Sequence, residues 1–173
     1  MAERAQAGAA YFSREAIGER LGGFIYGTIV VISAVVAGAK IYPASPWHIA
    51  AFVVVTTLVF WLAHVYAHSL AESVSHDEHL SLAELRRIAR REASIVEAGV
   101  PSIGALVLGG FGVLSEQAAI WLAVALGLCV LAVQGFLFAR VERLRWAATL
   151  VVVTLNLGLG VLLIALKLLV SHH

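Results

Sequence analysis

Five apolar stretches occupy most of this chain: Leu21 to Ala39, Ile49 to Leu70, Val96 to Leu114, Ala118 to Phe138 and Ala147 to Val170. Each approaches the roughly 20 residues that a helix needs to cross a hydrocarbon layer about 30 Å thick. At that depth no water can satisfy a backbone N–H or C=O, so only helices and closed barrels span it. The stretches are too continuously apolar for barrel strands, which alternate. The sequence therefore predicts an all-α, polytopic membrane bundle of five transmembrane helices. A 173-residue chain that is 61% hydrophobic and only 13% charged leaves little for a soluble domain, so residues 1–173 read as a single transmembrane domain.

The basic residues set a topology. Arg4, Arg14 and Arg20 precede the first stretch; Arg86, Arg87, Arg90 and Arg91 lie between the second and third; Arg140, Arg143 and Arg145 lie between the fourth and fifth. The only lysines, Lys40 and Lys167, fall at the opposite ends of their stretches. By the positive-inside rule, residues 1–20 and the connection 71–95 are cytoplasmic and the C-terminus is outside. An odd number of spans agrees. The expected location is a bacterial inner membrane, crossed several times. A net charge of +1 leaves no basic stripe for phosphates, so nucleic acid is not an expected partner. The lone Cys129 excludes a disulfide within the chain and a thiolate cluster.

Residues 71–95 read as a cytoplasmic hairpin. Ser81-Leu82-Ala83-Glu84 has the form of a capping box, with Leu80 and Leu85 as the accompanying staple, so a helix starts at about Leu82. Nothing breaks it before Pro101, which predicts one helix running into the third span with a kink at Pro101. From Trp47 to Ser75 there is likewise no Gly or Pro, so helices two and three should both outrun the bilayer and meet at His76-Asp77-Glu78-His79.

His64, His68, Glu72 and His76 recur every four residues and form one stripe on the second helix. A titratable residue within a span is costly to bury and is a functional candidate by default. The stripe can relay protons or line a cation pathway with Glu97 and the neighbouring Trp61. His64 and His68 can also hold a divalent cation, completed by Glu72 or Glu97. The structural alternative is as strong. In a hairpin turning near residues 76–81, Glu72 lies level with Arg86, His68 with Arg90, and His64 with Ser94 and Glu97. Val65 follows His64 where a zinc protease needs Glu, so no enzyme is expected.

Packing signals are spread through the chain. Gly23-x-x-x-Gly27 lets a neighbouring backbone approach the first helix, and Asn156 and Gln134 are amides able to bond across helices. Five short helices enclose no central pore, so a transport path would lie between subunits of a homo-oligomer. Arg20-Leu21-Gly22-Gly23-Phe24 and Phe60-Trp61-Leu62-Ala63-His64 resemble the corresponding stretches of the bacterial relatives of the lysosomal transmembrane potassium channel. That family's Phe-Ser-Asp signature is replaced here by Phe24-Ile25-Tyr26, and its further span has no counterpart, so its pore constellation is not carried over.

Two functions follow from these residues. One is an oligomeric proton or cation channel or transporter, with His64, His68 and Glu72 at its cytoplasmic side. The other is a non-catalytic scaffold or accessory subunit, docking a cytoplasmic protein or anionic lipid through Arg86, Arg87, Arg90 and Arg91.

Overall fold

A computed structural model describes residues 2–76 and 81–170, all of them helical or in short turns, with no strand among the described residues. The helices are α1 (Ala2–Ile41), α2 (Pro46–His76), α3 (Leu82–Arg91), α4 (Ser94–Glu97), α5 (Val100–Gly110), α6 (Glu116–Val141) and α7 (Trp146–Val170). The expected hairpin tip at Asp77-Glu78-His79, its Leu80 staple and the terminal Ser171-His172-His173 lie outside the described residues.

Three helical segments are long and apolar enough to cross a membrane: Arg20–Ile41, Pro46–Ser73 and Glu116–Val141. A fourth qualifies only if the pair Leu82–Glu97 and Val100–Gly110, bent by 52°, is one span. In α7 the described apolar stretch Trp146–Leu162 is shorter. The outer surfaces suit a multi-pass membrane protein. Val55, Val59, Leu62 and Tyr66 on α2, Trp121 and Val133 on α6, and Val151 and Leu155 on α7 are all exposed. A soluble protein rarely leaves so large an apolar surface to water.

Residues 1–20, ahead of the first span, belong to α1, which is helical from Ala2, its early turns being rich in Ala, Glu and Arg, which favour helix. One expectation is corrected: the helix from Leu82, expected to run unbroken into the third span, does not. It stops at Arg91, turns through Glu92 and Ala93, makes the single turn of α4, and turns again at Ala98 and Gly99 before α5. The last break has a clear cause. Pro101 has no N–H to donate and its ring crowds the carbonyl four residues back, whereas in the first turn of α5 it sits without penalty. The capping box itself is present: the Ser81 hydroxyl accepts from the Glu84 N–H at 3.2 Å, and the Glu84 carboxylate accepts from the Ser81 N–H at 2.8 Å.

The C-termini of α5 and α6 close in the same way. Gly112 (φ 74°) and Arg143 (φ 51°) adopt left-handed conformations. After α5 the Gly112 and Val113 N–H groups donate to Gly109 and Leu108; after α6 the Arg143 and Leu144 N–H groups donate to Arg140 and Ala139. Both are Schellman closures. Gly suits this position, and Arg there carries the strain of a Cβ at positive φ.

The centre of the bundle is α1. Half of its apolar window is buried, against 28% for α2 and 33% for α6, so it is the axle on which the others pack. The core joins Val31, Ala34 and Val35 of α1 to Ile49 and Val53 of α2, Ala105 and Leu106 of α5, and Ala123 and Val124 of α6. Ser102 donates to the Ala123 carbonyl at 2.8 Å, tying α5 to α6. At the end away from the arginines, Trp47 donates its indole N–H to the Gly110 carbonyl at 2.8 Å and stands edge-on to Phe111. A Cβ on Gly110 would meet that indole at 2.6 Å.

Glycine substitutions distinguish tight from open positions. A Cβ on Gly27 would meet the Ile95 carbonyl oxygen at 2.6 Å and the Ile95 Cα at 2.8 Å, backbone that cannot step aside, whereas one on Gly104 meets nothing within 4 Å. Gly27→Ala should lower stability by roughly 1–3 kcal/mol. Gly104→Ala should be neutral or stabilise by up to about 1 kcal/mol through lost chain entropy. Arg143→Gly should stabilise by about 1 kcal/mol by relieving the positive φ. Thermal unfolding of the three variants in one detergent checks the order.

Candidate functional site

The ionisable side chains of the predicted stripe converge where α2 meets α3, α4 and the neighbouring part of α1. An unbroken α2 keeps them in register, and the turn at Glu92 and Ala93 decides what they face.

Glu72 accepts from Arg87 Nη2 at 3.0 Å, one position along from the Arg86 expected. The pair is partly exposed, with Arg87 at 72% and Glu72 at 28%, so its contribution is small. His68 lies against Glu92, with Nδ1 3.3 Å from Oε1, rather than against Arg90. The same Nδ1 is 3.2 Å from the His64 carbonyl oxygen. Both of these partners are acceptors when Glu92 is ionised, so Nδ1 carries the hydrogen and is shared between them. Glu92 itself is buried, at 8% exposure.

His64 does not reach Ser94 or Glu97. Its Nδ1 contacts the Phe60 carbonyl at 3.1 Å, and its ring packs against Tyr26 of α1 at 4.7 Å between centroids. Its ring centroid is 6.3 Å from that of His68. The expected pairing fails because the break at Glu92 and Ala93 turns the following residues towards α1. Glu97 accordingly accepts from Arg20 Nη2 at 3.0 Å. Ser94 sits where a Cβ on Gly23 would collide with its Oγ, and that buried Oγ has no hydrogen-bond partner. Trp61 donates its indole N–H to the Ala89 carbonyl at 3.1 Å, locking α2 to α3.

The structure thus brings together His64, His68, Glu72, Trp61 and Arg87 but carries Glu97 to another face. Arg86, Arg90 and Arg91 are exposed on α3. Gly23 and Gly27 face Ser94 and Ile95 of the broken segment. Asn156 Nδ2 lies 2.7 Å from where a Cβ on Gly135 would sit, while the adjacent Gln134 is buried with its Oε1 lacking a partner. Sequence reasoning missed Glu92, Tyr26 and the Arg20–Glu97 pair. Glu92 reads as one more charge in a polar helix; only the chain break buries it. Arg20 was absorbed by topology.

With Nδ1 of both histidines tied to carbonyls of their own helix, only Nε2 of each ring remains for another partner. Among the described residues no three His, Cys, Asp or Glu side chains come together to hold a metal ion, so a divalent cation on His64 and His68 lacks a third protein ligand there. Comparison with known proteins finds no matching family model, no matching curated protein and no matching solved structure. The resemblance of two short stretches to potassium-channel relatives therefore carries no assignment.

The pairs should differ in strength. A double-mutant cycle on His68 and Glu92 should give a coupling of roughly 1–2 kcal/mol, because the acceptor is a buried charged group. The same cycle on Arg87 and Glu72 should stay below about 1 kcal/mol and shrink as salt is added. Denaturant unfolding in a non-ionic detergent measures both; equal couplings would show that the burial of Glu92 has no energetic consequence.

Proposed function

We propose that this is a five-span, non-catalytic scaffold or accessory subunit of a bacterial inner membrane, with its N-terminus cytoplasmic and its C-terminus outside, whose hairpin sets α3 against the headgroups of anionic lipids. The observation that carries this reading is the division of α3 into two continuous arcs. By helical spacing, Ile88, Leu85, Ala89 and Leu82 fill one side, while Arg86, Arg90, Arg87 and Arg91 fill the other. Ile88 is buried, whereas Leu82 is 77% exposed and Leu85 39%. Among the described residues Arg86 and Arg90 make no ion pair. An amphipathic basic helix with exposed leucines, at the edge of an apolar bundle, suits an interface in which acyl chains meet phosphates.

The acidic groups support the same reading. Glu72 is held by Arg87 and Glu92 by His68, so the titratable stripe laces the hairpin together, while Glu97 is held by Arg20 of α1. A second reading keeps the stripe as a proton or cation path between subunits of a homo-oligomer. It is favoured by one specific observation, the line of contact from His64 through His68 to the buried Glu92.

Native mass spectrometry of the protein released from nanodiscs containing phosphatidylglycerol and phosphatidylcholine tests the proposal. The wild type should retain phosphatidylglycerol preferentially. Arg86→Gln and Arg90→Gln should each weaken that preference about fivefold, from ~1 kcal/mol per arginine near a charged surface. An unchanged preference would sink the proposal. Loss of a co-purifying protein in its place would point to a protein partner. A proton flux in liposomes that disappears in the His64→Ala, His68→Ala variant would place the second reading first.

A further inference from the structure

His64 and His68 stand four residues apart on α2, a spacing that makes side chains neighbours on one helix face. Spacing alone is weak ground for a metal site; what each ring does with its other nitrogen is stronger. His64 Nδ1 lies 3.1 Å from the Phe60 carbonyl oxygen, and His68 Nδ1 lies 3.2 Å from the His64 carbonyl oxygen. A carbonyl can only accept, so both Nδ1 atoms carry the hydrogen, and in a neutral imidazole the free lone pair then sits on Nε2. Neither Nε2 has a hydrogen-bond partner among the described residues.

His68 adds a carboxylate behind the ring. Its Nδ1 is also 3.3 Å from Oε1 of the buried Glu92. A carboxylate on the far nitrogen fixes the tautomer and raises the basicity of Nε2, the usual support of a histidine that ligates a metal. A cation on Nε2 in turn makes the Nδ1 hydrogen more acidic, so ion and carboxylate strengthen each other's hold on the ring. The two ring centres are 6.3 Å apart. Imidazoles that share an ion through Nε2 at about 2.0–2.1 Å bring their centres to about 5 Å. Rotations of about 15° at each χ1 close that difference and stay within the staggered wells. Access is open as well: the His68 side chain is 48% exposed and lies five residues, about 8 Å of helix, before the apolar segment ends at Ser73.

We propose that Nε2 of His64 and Nε2 of His68 chelate one divalent transition-metal cation, with Glu92 completing a carboxylate–histidine–metal triad through His68. Among the described residues no third His, Cys, Asp or Glu joins the pair, so water fills the remaining positions and binding is reversible. Two imidazoles select Cu2+, Ni2+ or Zn2+ over Mg2+ and Ca2+, which prefer oxygen. Because Glu92 lies in the turn between α3 and α4, an occupied site also fastens that turn to α2. The site draws on none of the α3 arginines, so it succeeds or fails apart from the lipid contact.

Cu2+ is the probe, because it binds such donors most tightly and its unpaired electron reports its ligands. Electron spin echo modulation of the full-length protein in dodecyl maltoside, with less than one Cu2+ per chain, should show two imidazoles on the ion. In a Cu2+ titration Glu92→Gln, a change that touches no metal, should weaken binding about tenfold. His64→Gln and His68→Gln, which each remove a ligand, should weaken it further. The other histidines, the terminal pair included, set a background that the His64→Gln, His68→Gln double variant measures. A single imidazole in the wild-type spectrum would overturn the proposal without requiring any variant to fold. A wild type that binds Cu2+ no more tightly than the double variant would overturn it too, as would a Glu92→Gln protein of unchanged affinity.

Discussion

The arrangement of this molecule depends on one close approach, that of the α1 backbone to the short segment around Ile95. Gly27 has no Cβ, and the Ile95 carbonyl and Cα occupy the space where one would be. Gly23, one turn earlier, does the same for the Ser94 hydroxyl. In an apolar solvent no hydrophobic force draws helices together, so contact at backbone distance is what holds α1 to its neighbour. Much else follows from that contact. It places Glu97 within reach of Arg20 and leaves Glu92 facing inward towards His68.

The interactions at the arginine-rich end are graded by burial. Arg20 with Glu97 and Arg87 with Glu72 are exposed pairs, which orient side chains more than they stabilise the fold. Glu92 is different because water reaches it poorly, so its contact with His68 matters to the α2–α3 packing. Trp61 reinforces the same packing with a hydrogen bond to a main-chain carbonyl, which no side-chain charge can weaken. The titratable stripe that stands out in the sequence is, in the folded chain, largely engaged by neighbours.

Features set by local physics were legible in the sequence. The Ser81 to Glu84 capping box formed where its spacing put it, and the stretch from Trp47 to Ser75, free of Gly and Pro, formed one helix. Glu72 found an arginine within one residue of the position inferred, because a hairpin between two straight helices has little freedom of register. What could not be read was set by packing at a distance. Nothing between Arg91 and Ser94 signals a turn, since neither Glu92 nor Ala93 disfavours helix; the break serves the approach of Ile95 to Gly27. With the break missed, the partners of His64 and Glu97 were misassigned together. The orphaned Oε1 of Gln134 was equally hidden, because an amide in an apolar helix reads the same whether or not another helix answers it.

The Trp47 contact at the opposite end has a mechanical consequence. There the indole joins the first turn of α2 to the last turn of α5 by a hydrogen bond and an aromatic contact, and Gly110 lets the ring seat flush against the main chain. The two helices are thus fixed to one another at this end, while at the other α2 is held to α3 by Trp61, by His68 on Glu92 and by Glu72 on Arg87. Helix α2 and the broken run α3–α5 thereby form a closed frame, with a tryptophan indole bonded to a main-chain carbonyl at each of its two corners, so that neither joint depends on the ionisation of any side chain.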